Sequence, residues 1–130
     1  MMIKTHEKID PELCGTPVEL GEGTASVELL LTERMTADAS GLIHGGFIFG
    51  LADYAAMLAV NRPTVVLAAA EVSFVKPAMS GDGLLAEASI TAVHGKKRSV
   101  TVIISCKKEI IFRGMFTCAV PENHVLEGNR

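Results

Sequence analysis

Apolar positions are crowded into one stretch of the chain, Gly41 to Asn61 (GLIHGGFIFGLADYAAMLAVN), and after His44-Gly45-Gly46 they are interrupted by a single ionisable side chain, Asp53. Wound at 3.6 residues per turn, this segment is apolar on every side, which predicts a helix buried all round rather than an amphipathic surface helix. Asn61-Arg62-Pro63 stops it, since proline cannot continue a helix. Elsewhere the pattern alternates with a period of two. Ala25, Val27, Leu29 and Leu31 alternate with Ser26, Glu28 and Leu30, so Pro17 to Leu20 and Ala25 to Thr32 read as a hairpin around Gly21-Glu22-Gly23-Thr24. Downstream, Thr64 to Lys76, Leu84 to His94, Arg98 to Lys107 and Ile110 to Val120 read as strands. They are separated by Pro77 to Gly83, by Gly95-Lys96-Lys97 and by Lys108-Glu109. Residues 1–16 are a polar, irregular lead-in with at most a short helix, Glu33 to Ser40 is a polar loop, and residues 121–130 are a polar tail.

Two strands, a long helix and a meander of about four strands predict a single α+β domain over residues 1–130, with one curved antiparallel sheet wrapped around a long central helix. One sheet covers one side of such a helix. The other side then needs a partner, and the simplest is a second copy related by a two-fold axis.

Composition narrows the class. The chain has 130 residues, 48% of them hydrophobic, which suits a compact core and argues against disorder. A formal net charge of -3 gives no general attraction to nucleic acid or to an anionic membrane. The start, MMIKTHEKIDPELC, has no apolar core or cleavage site of a secretory signal, so cytoplasm is the expected location. Asp53 and the glycines at the head of the central segment argue against a membrane span. Cys14, Cys106 and Cys118 are odd in number and have no metal-ligand spacing, so they are expected as free thiols with no metal.

The chemistry is concentrated in the apolar segment. His44-Gly45-Gly46 opens the helix, where glycine lets a ligand approach the backbone and first-turn N–H groups are unpaired donors at the positive end of the helix dipole. That combination polarises a carbonyl or stabilises an oxyanion. Burying the Asp53 carboxylate without a partner costs several kcal/mol, of order 3–5 where an ion pair is broken. Plainer alternatives stand beside these: the glycine pair as a tight helix entry, Asp53 as a polar core residue bound to backbone N–H groups across an interface, and His44 as a cap or a hydrogen-bonding group in the sheet.

At these residues the sequence resembles the hotdog-fold superfamily, and within it the small acyl-CoA thioesterases of the phenylacetate-pathway type. The resemblance is carried by HGGFIFGLADYAAMLAVN followed by EVSFVKPAMSGDGLLAEA, and extends from about Thr24 to Val120. It implies a dimer, or a dimer of dimers, that hydrolyses coenzyme A thioesters with no cofactor. It makes Asp53 the catalytic carboxylate, Gly45 the donor to the thioester carbonyl with Gly46 beside it, and His44 a helper that shapes the loop. Eight helical residues span about 12 Å, too far for Gly45 and Asp53 of one chain to grip one thioester. Two antiparallel helices in a dimer bring Gly45 of one chain to Asp53 of the other. Departures from the family pattern are Asp38, where an amide side chain is usual, Met57, where some relatives have threonine, and Leu67 and Ala68 in place of an assisting hydroxyl. Ser73 and Thr64 are possible substitutes. An ionised Asp38 cannot donate a hydrogen bond, so it is protonated, plays another part, or marks a different activity. Lys96, Lys97 and Arg98 form the local basic cluster that the resemblance assigns to coenzyme A phosphates, with Arg62 and Lys76 as further candidates. A hotdog hydratase or dehydratase, and a non-catalytic acyl-CoA-binding module, are the competing expectations.

Overall fold

The structure, a computed structural model, describes residues 1–127; positions 128–130 of the expected polar tail lie outside the described residues. The long helix, α2, runs Gly45–Val60. A four-residue helix α1, Pro11–Cys14, precedes the strands β1 (Thr16–Gly21) and β2 (Thr24–Leu30). After α2 come β3 (Val66–Phe74), β4 (Gly83–His94), β5 (Lys97–Cys106) and β6 (Glu109–Ala119). All pairings are antiparallel, in the order β1-β2-β4-β5-β6-β3. One sheet around one helix is the α+β arrangement that the periodicity predicts.

The expected four-strand meander is corrected in one respect: β4, β5 and β6 follow one another, but β3 lies at the far edge beside β6 instead of next to β4. The place beside β4 goes to β2, because the two present matching apolar faces to the helix. Ala25 lies opposite Ala88, Val27 opposite Ala86 and Leu29 opposite Leu84, and all six are buried. Small alanines let α2 come close to the sheet there. β3 has no comparable face; Ala68, Ala69, Ala70 and Glu71 are exposed, which suits an edge. The β5–β6 turn is also shifted by one residue. Its two central residues are Lys107 and Lys108, both in the left-handed region (φ 50° and 68°), and Lys97 belongs to β5 rather than to the preceding turn.

The helix ends on Asn61, itself left-handed (φ 49°, ψ 50°), whose N–H donates to the Met57 carbonyl. Asn61 also uses its side chain. Its Oδ1 accepts from the Lys4 N–H and its Nδ2 donates to the Met2 carbonyl, each at 2.8 Å. This clamp lays the N-terminal residues along the outside of α2, where Ile3, Ile9, Leu13 and Cys14 pack on the core. The expectation that a partner must cover the far side of the helix is therefore corrected for its second half: the lead-in covers it, and Tyr54 to Val60 are buried within one chain. The first half stays more open, with Gly45, Phe47, Phe49 and Gly50 only half-buried and Gly46 exposed.

Candidate functional site

The head of α2 is held from two sides. Residues before it form a small bridge, Thr36 with Ile43, and the loop after β3 adds a second, Leu42 with Met79. The Ile43 N–H donates to the Ala78 carbonyl and the His44 N–H to the Met35 carbonyl, both at 2.9 Å. His44 is thus fixed as the residue that begins the helix, and its carbonyl accepts from the Phe47 N–H at 3.1 Å. The N–H groups of Gly45 and Gly46 have no hydrogen-bond acceptor among the described residues, as expected for a first turn. The His44 side chain caps nothing; its exposed ring stands edge-on to Phe47, with centroids 6.1 Å apart.

Gly45 leaves little room for a side chain, because a Cβ there would sit 3.3 Å from Cε1 of Phe74, the last residue of β3, tighter than an ordinary contact. Two donors, an open approach and the positive end of a sixteen-residue helix meet at this point.

Asp53 lies two turns further along. It is half-buried, and its Oδ1 is buried with no hydrogen-bond partner among the described residues. Burial pushes the Asp53 carboxyl above the usual range. The same charge bears on two thiols. Burial first, and then Asp53, pushes Cys118 on β6 up to about 11; burial, Asp10 and Asp53, in that order, raise Cys14 at the end of α1. Both cysteines stay protonated at neutral pH.

Other candidates fall elsewhere. Asp38 is exposed, and its carboxylate accepts from the Ser40 N–H and hydroxyl within its own loop. The hydroxyl bond, followed by the backbone one, holds its carboxyl below the usual range, so the protonated alternative does not hold. The Thr64 hydroxyl donates to the Pro121 carbonyl, Ser73 is exposed on β3, and Met57 is fully buried. Lys76 is paired with Glu109.

Lys96 and Arg98 lie at the opposite end of α2 from Gly45. With Arg62, Thr64 and Gly95 they line a hollow of about 430 Å³, and Arg62 and Arg98 also line a neighbouring one of about 610 Å³ with Lys4. Arg98 donates to the carbonyls of Gly95 and Lys97, which fixes its guanidinium at the rim. Lys97 lies opposite His94 in the strand pair. Sequence reasoning missed Lys4, which only the Asn61 clamp brings here, and ranked Arg62 low because nothing in the sequence sets it beside Arg98. None of the five prominent hollows is lined by Gly45 or Asp53.

Among the described residues no cluster of His, Cys, Asp and Glu has metal-ligand geometry, and no helix is long and apolar enough to cross a membrane.

Comparison with known proteins adds the following. A family model described as the thioesterase superfamily matches residues 40–111. A methylthioribose-1-phosphate isomerase of Aquifex aeolicus is 49% identical over 89% of this chain, which amounts to 25% of that protein. A transcription factor FapR of Caldanaerobacter subterraneus is 26% identical over 95% of this chain and 62% of its own length. The chain thus spans between a quarter and about three-fifths of the length of these relatives. An uncharacterized protein from Pyrococcus horikoshii superposes with a TM-score of 0.96 at 50% identity, covering 98% of both chains. A Streptococcus mutans protein bound to acetyl-CoA shares the fold, with a TM-score of 0.80 at 22% identity over 92% of this chain and 97% of that one.

Proposed function

The chain belongs to the thioesterase superfamily, and from that premise we propose that it hydrolyses acyl-CoA thioesters at a site shared by two copies. The observation that carries the proposal is the unpartnered, half-buried Asp53 carboxylate on the same helix that opens with the free Gly45 N–H. The two lie about 12 Å apart along that helix, so one chain does not bring them to one carbonyl. Antiparallel packing of two helices through their open first halves does. Edge strand β3, with one side unpaired, lies at the same border.

In this arrangement the carbonyl oxygen accepts from the Gly45 N–H, with Gly46 beside it, and the oxyanion forms against the positive helix end. Asp53 of the other copy takes a proton from water as the water oxygen attacks the carbonyl carbon, or attacks that carbon itself to form an anhydride that water then opens. The C–S bond breaks either way, and coenzyme A leaves as a thiolate that needs little help from an acid. His44 fixes the loop ahead of the donor, and Asp38 holds its own turn with Ser40. Arg62, Lys96 and Arg98, with Lys97 at the margin, receive the phosphates of the coenzyme as charge-assisted donors. A neighbouring fold bound to acetyl-CoA agrees with that ligand class.

A second reading is favoured by the match to FapR, a transcription factor: the chain binds acyl-CoA and does not cleave it. Thiol release from a panel of acyl-CoAs, with binding measured in parallel, separates the two. Turnover that disappears in Asp53→Asn supports hydrolysis; saturable binding without thiol release rejects it in favour of the binding module.

A further inference from the structure

Phe74 is exposed to 52%, although it is a large aromatic side chain at the very end of a strand. Its ring is nevertheless held in place. Phe74 lies opposite Phe112 in the β3–β6 register, the two rings meet edge to face with centroids 5.2 Å apart, and Phe112 is fully buried. The next N–H along the chain, that of Val75, donates to the Ile111 carbonyl at 2.8 Å and fixes the backbone where the strand ends. One edge of this ring faces the head of α2. A Cβ on Gly45 would lie 3.3 Å from its Cε1 and 3.6 Å from its Cζ.

An oxygen accepting from the Gly45 N–H sits about 2.7–3.1 Å from that nitrogen. The carbon that carries it, and the acyl α-carbon beyond, then lie next to an aromatic wall backed by Phe112 and by the strand pairing. We propose that Phe74 is a specificity-determining residue that fills the space beside the acyl α-carbon, so that straight-chain thioesters are accepted and thioesters branched at that carbon are refused. This rests on Gly45 as the carbonyl donor in the hydrolysis proposed above. A fixed wall discriminates by one methyl group through overlap, whereas a mobile side chain would swing aside.

The test compares straight-chain acyl-CoAs with 2-methyl-branched isomers of equal carbon number, over lengths from about four to sixteen carbons. The full chain and Phe74→Ala are assayed by thiol release. The wild type is expected to prefer the straight isomer. Phe74→Ala should raise the branched-to-straight ratio of kcat/KM about tenfold or more, the usual worth of one methyl group in a tight pocket. Should circular dichroism show that Phe74→Ala is unfolded, Phe74→Val, which suits a strand, carries the test with a shift in the same direction. A ratio that stays within about twofold of the wild type, or a wild type indifferent to branching, overturns the role of Phe74 and leaves hydrolysis standing. A wild type that releases thiol from no member of the panel overturns hydrolysis and this inference together.

Discussion

Asp53→Asn is expected to abolish hydrolysis and at the same time make the protein more stable. The Asp53 Oδ1 is buried without a hydrogen bond, and burial raises its carboxyl pKa. Folding above that raised pKa therefore has to remove an ionised, unpaired oxygen from water. Leaving a buried polar atom unsatisfied costs about 1–3 kcal/mol, and more when it is charged. The amide keeps the shape and removes the charge but leaves the buried atom unpaired, so the variant should recover only the part of that cost owed to the charge, about 1 kcal/mol. With an unfolding entropy of about 2.1 cal/mol/K per residue over 130 residues, a gain of that size raises Tm by about 4 °C. The pH dependence has a definite sign. Because the folded-state pKa is raised, the unfolded chain binds fewer protons between the ordinary value, about 3.9, and the raised one. The parent loses stability as pH rises through that window, and above it the loss is complete. The advantage of Asp53→Asn is thus full above the raised value and vanishes below about 3.9. Thermal melts at equal protein concentration above and below this window, with thiol release alongside, check this; equal concentration matters because association shifts Tm. A variant that melts no higher than the parent above the window refutes the unpaired carboxylate, and one that also turns over normally refutes the site.

The remaining predictions concern separate parts of the molecule. Changing Arg62, Lys96 and Arg98 together to Ala should raise KM about tenfold or more, as expected for lost charge-assisted bonds, while kcat changes little in steady-state assays. Replacing Lys107-Lys108 by Asn-Gly should raise stability by about 1 kcal/mol or more in denaturant melts, because both positions are left-handed and a two-residue hairpin of this kind favours that pair. Asn61→Ala should lower stability more than Asn61→Gly. Glycine relieves the left-handed backbone, but both variants lose the bonds to Met2 and Lys4, and amide exchange at Lys4 should accelerate in each.

The parts of this fold legible in the sequence are those where one pattern has one structural outcome. The alternation in Ala25 to Leu31 and in Leu84 to Ala92 gives strands with a single buried face, and the apolar run to Val60, interrupted only by Asp53, gives the helix. Strand order is a different matter. Whether β3 or β2 lies beside β4 depends on how Ala86 and Ala88 fit Val27 and Ala25 against the helix, which is a property of pairs and not of either strand alone. The cover over the second half of α2 was hidden for a similar reason. Residues 1–15 are polar on average, and it takes the left-handed Asn61, with its side chain turned back onto Met2 and Lys4, to lay Ile3, Ile9 and Leu13 on the core.

The candidate site divides along the same line. Asp53 and Gly45 stand out in the sequence because each is locally out of place: a carboxylate in an apolar helix, and a glycine pair where a helix begins. Phe74 and Arg62 are locally ordinary and gain meaning only from what the fold sets beside them, Gly45 in one case and Arg98 in the other. The lead-in then restricts where a second copy can act. With Tyr54 to Val60 already covered, the proposed contact between two helices is confined to the stretch from Gly45 to about Asp53, together with the free edge of β3. That length is about 12 Å, the same separation that must be bridged between donor and carboxylate. An antiparallel pair crossing within this window faces each Gly45 toward the other Asp53, whereas a parallel pair sets like against like and leaves both carboxylates without a carbonyl to act on.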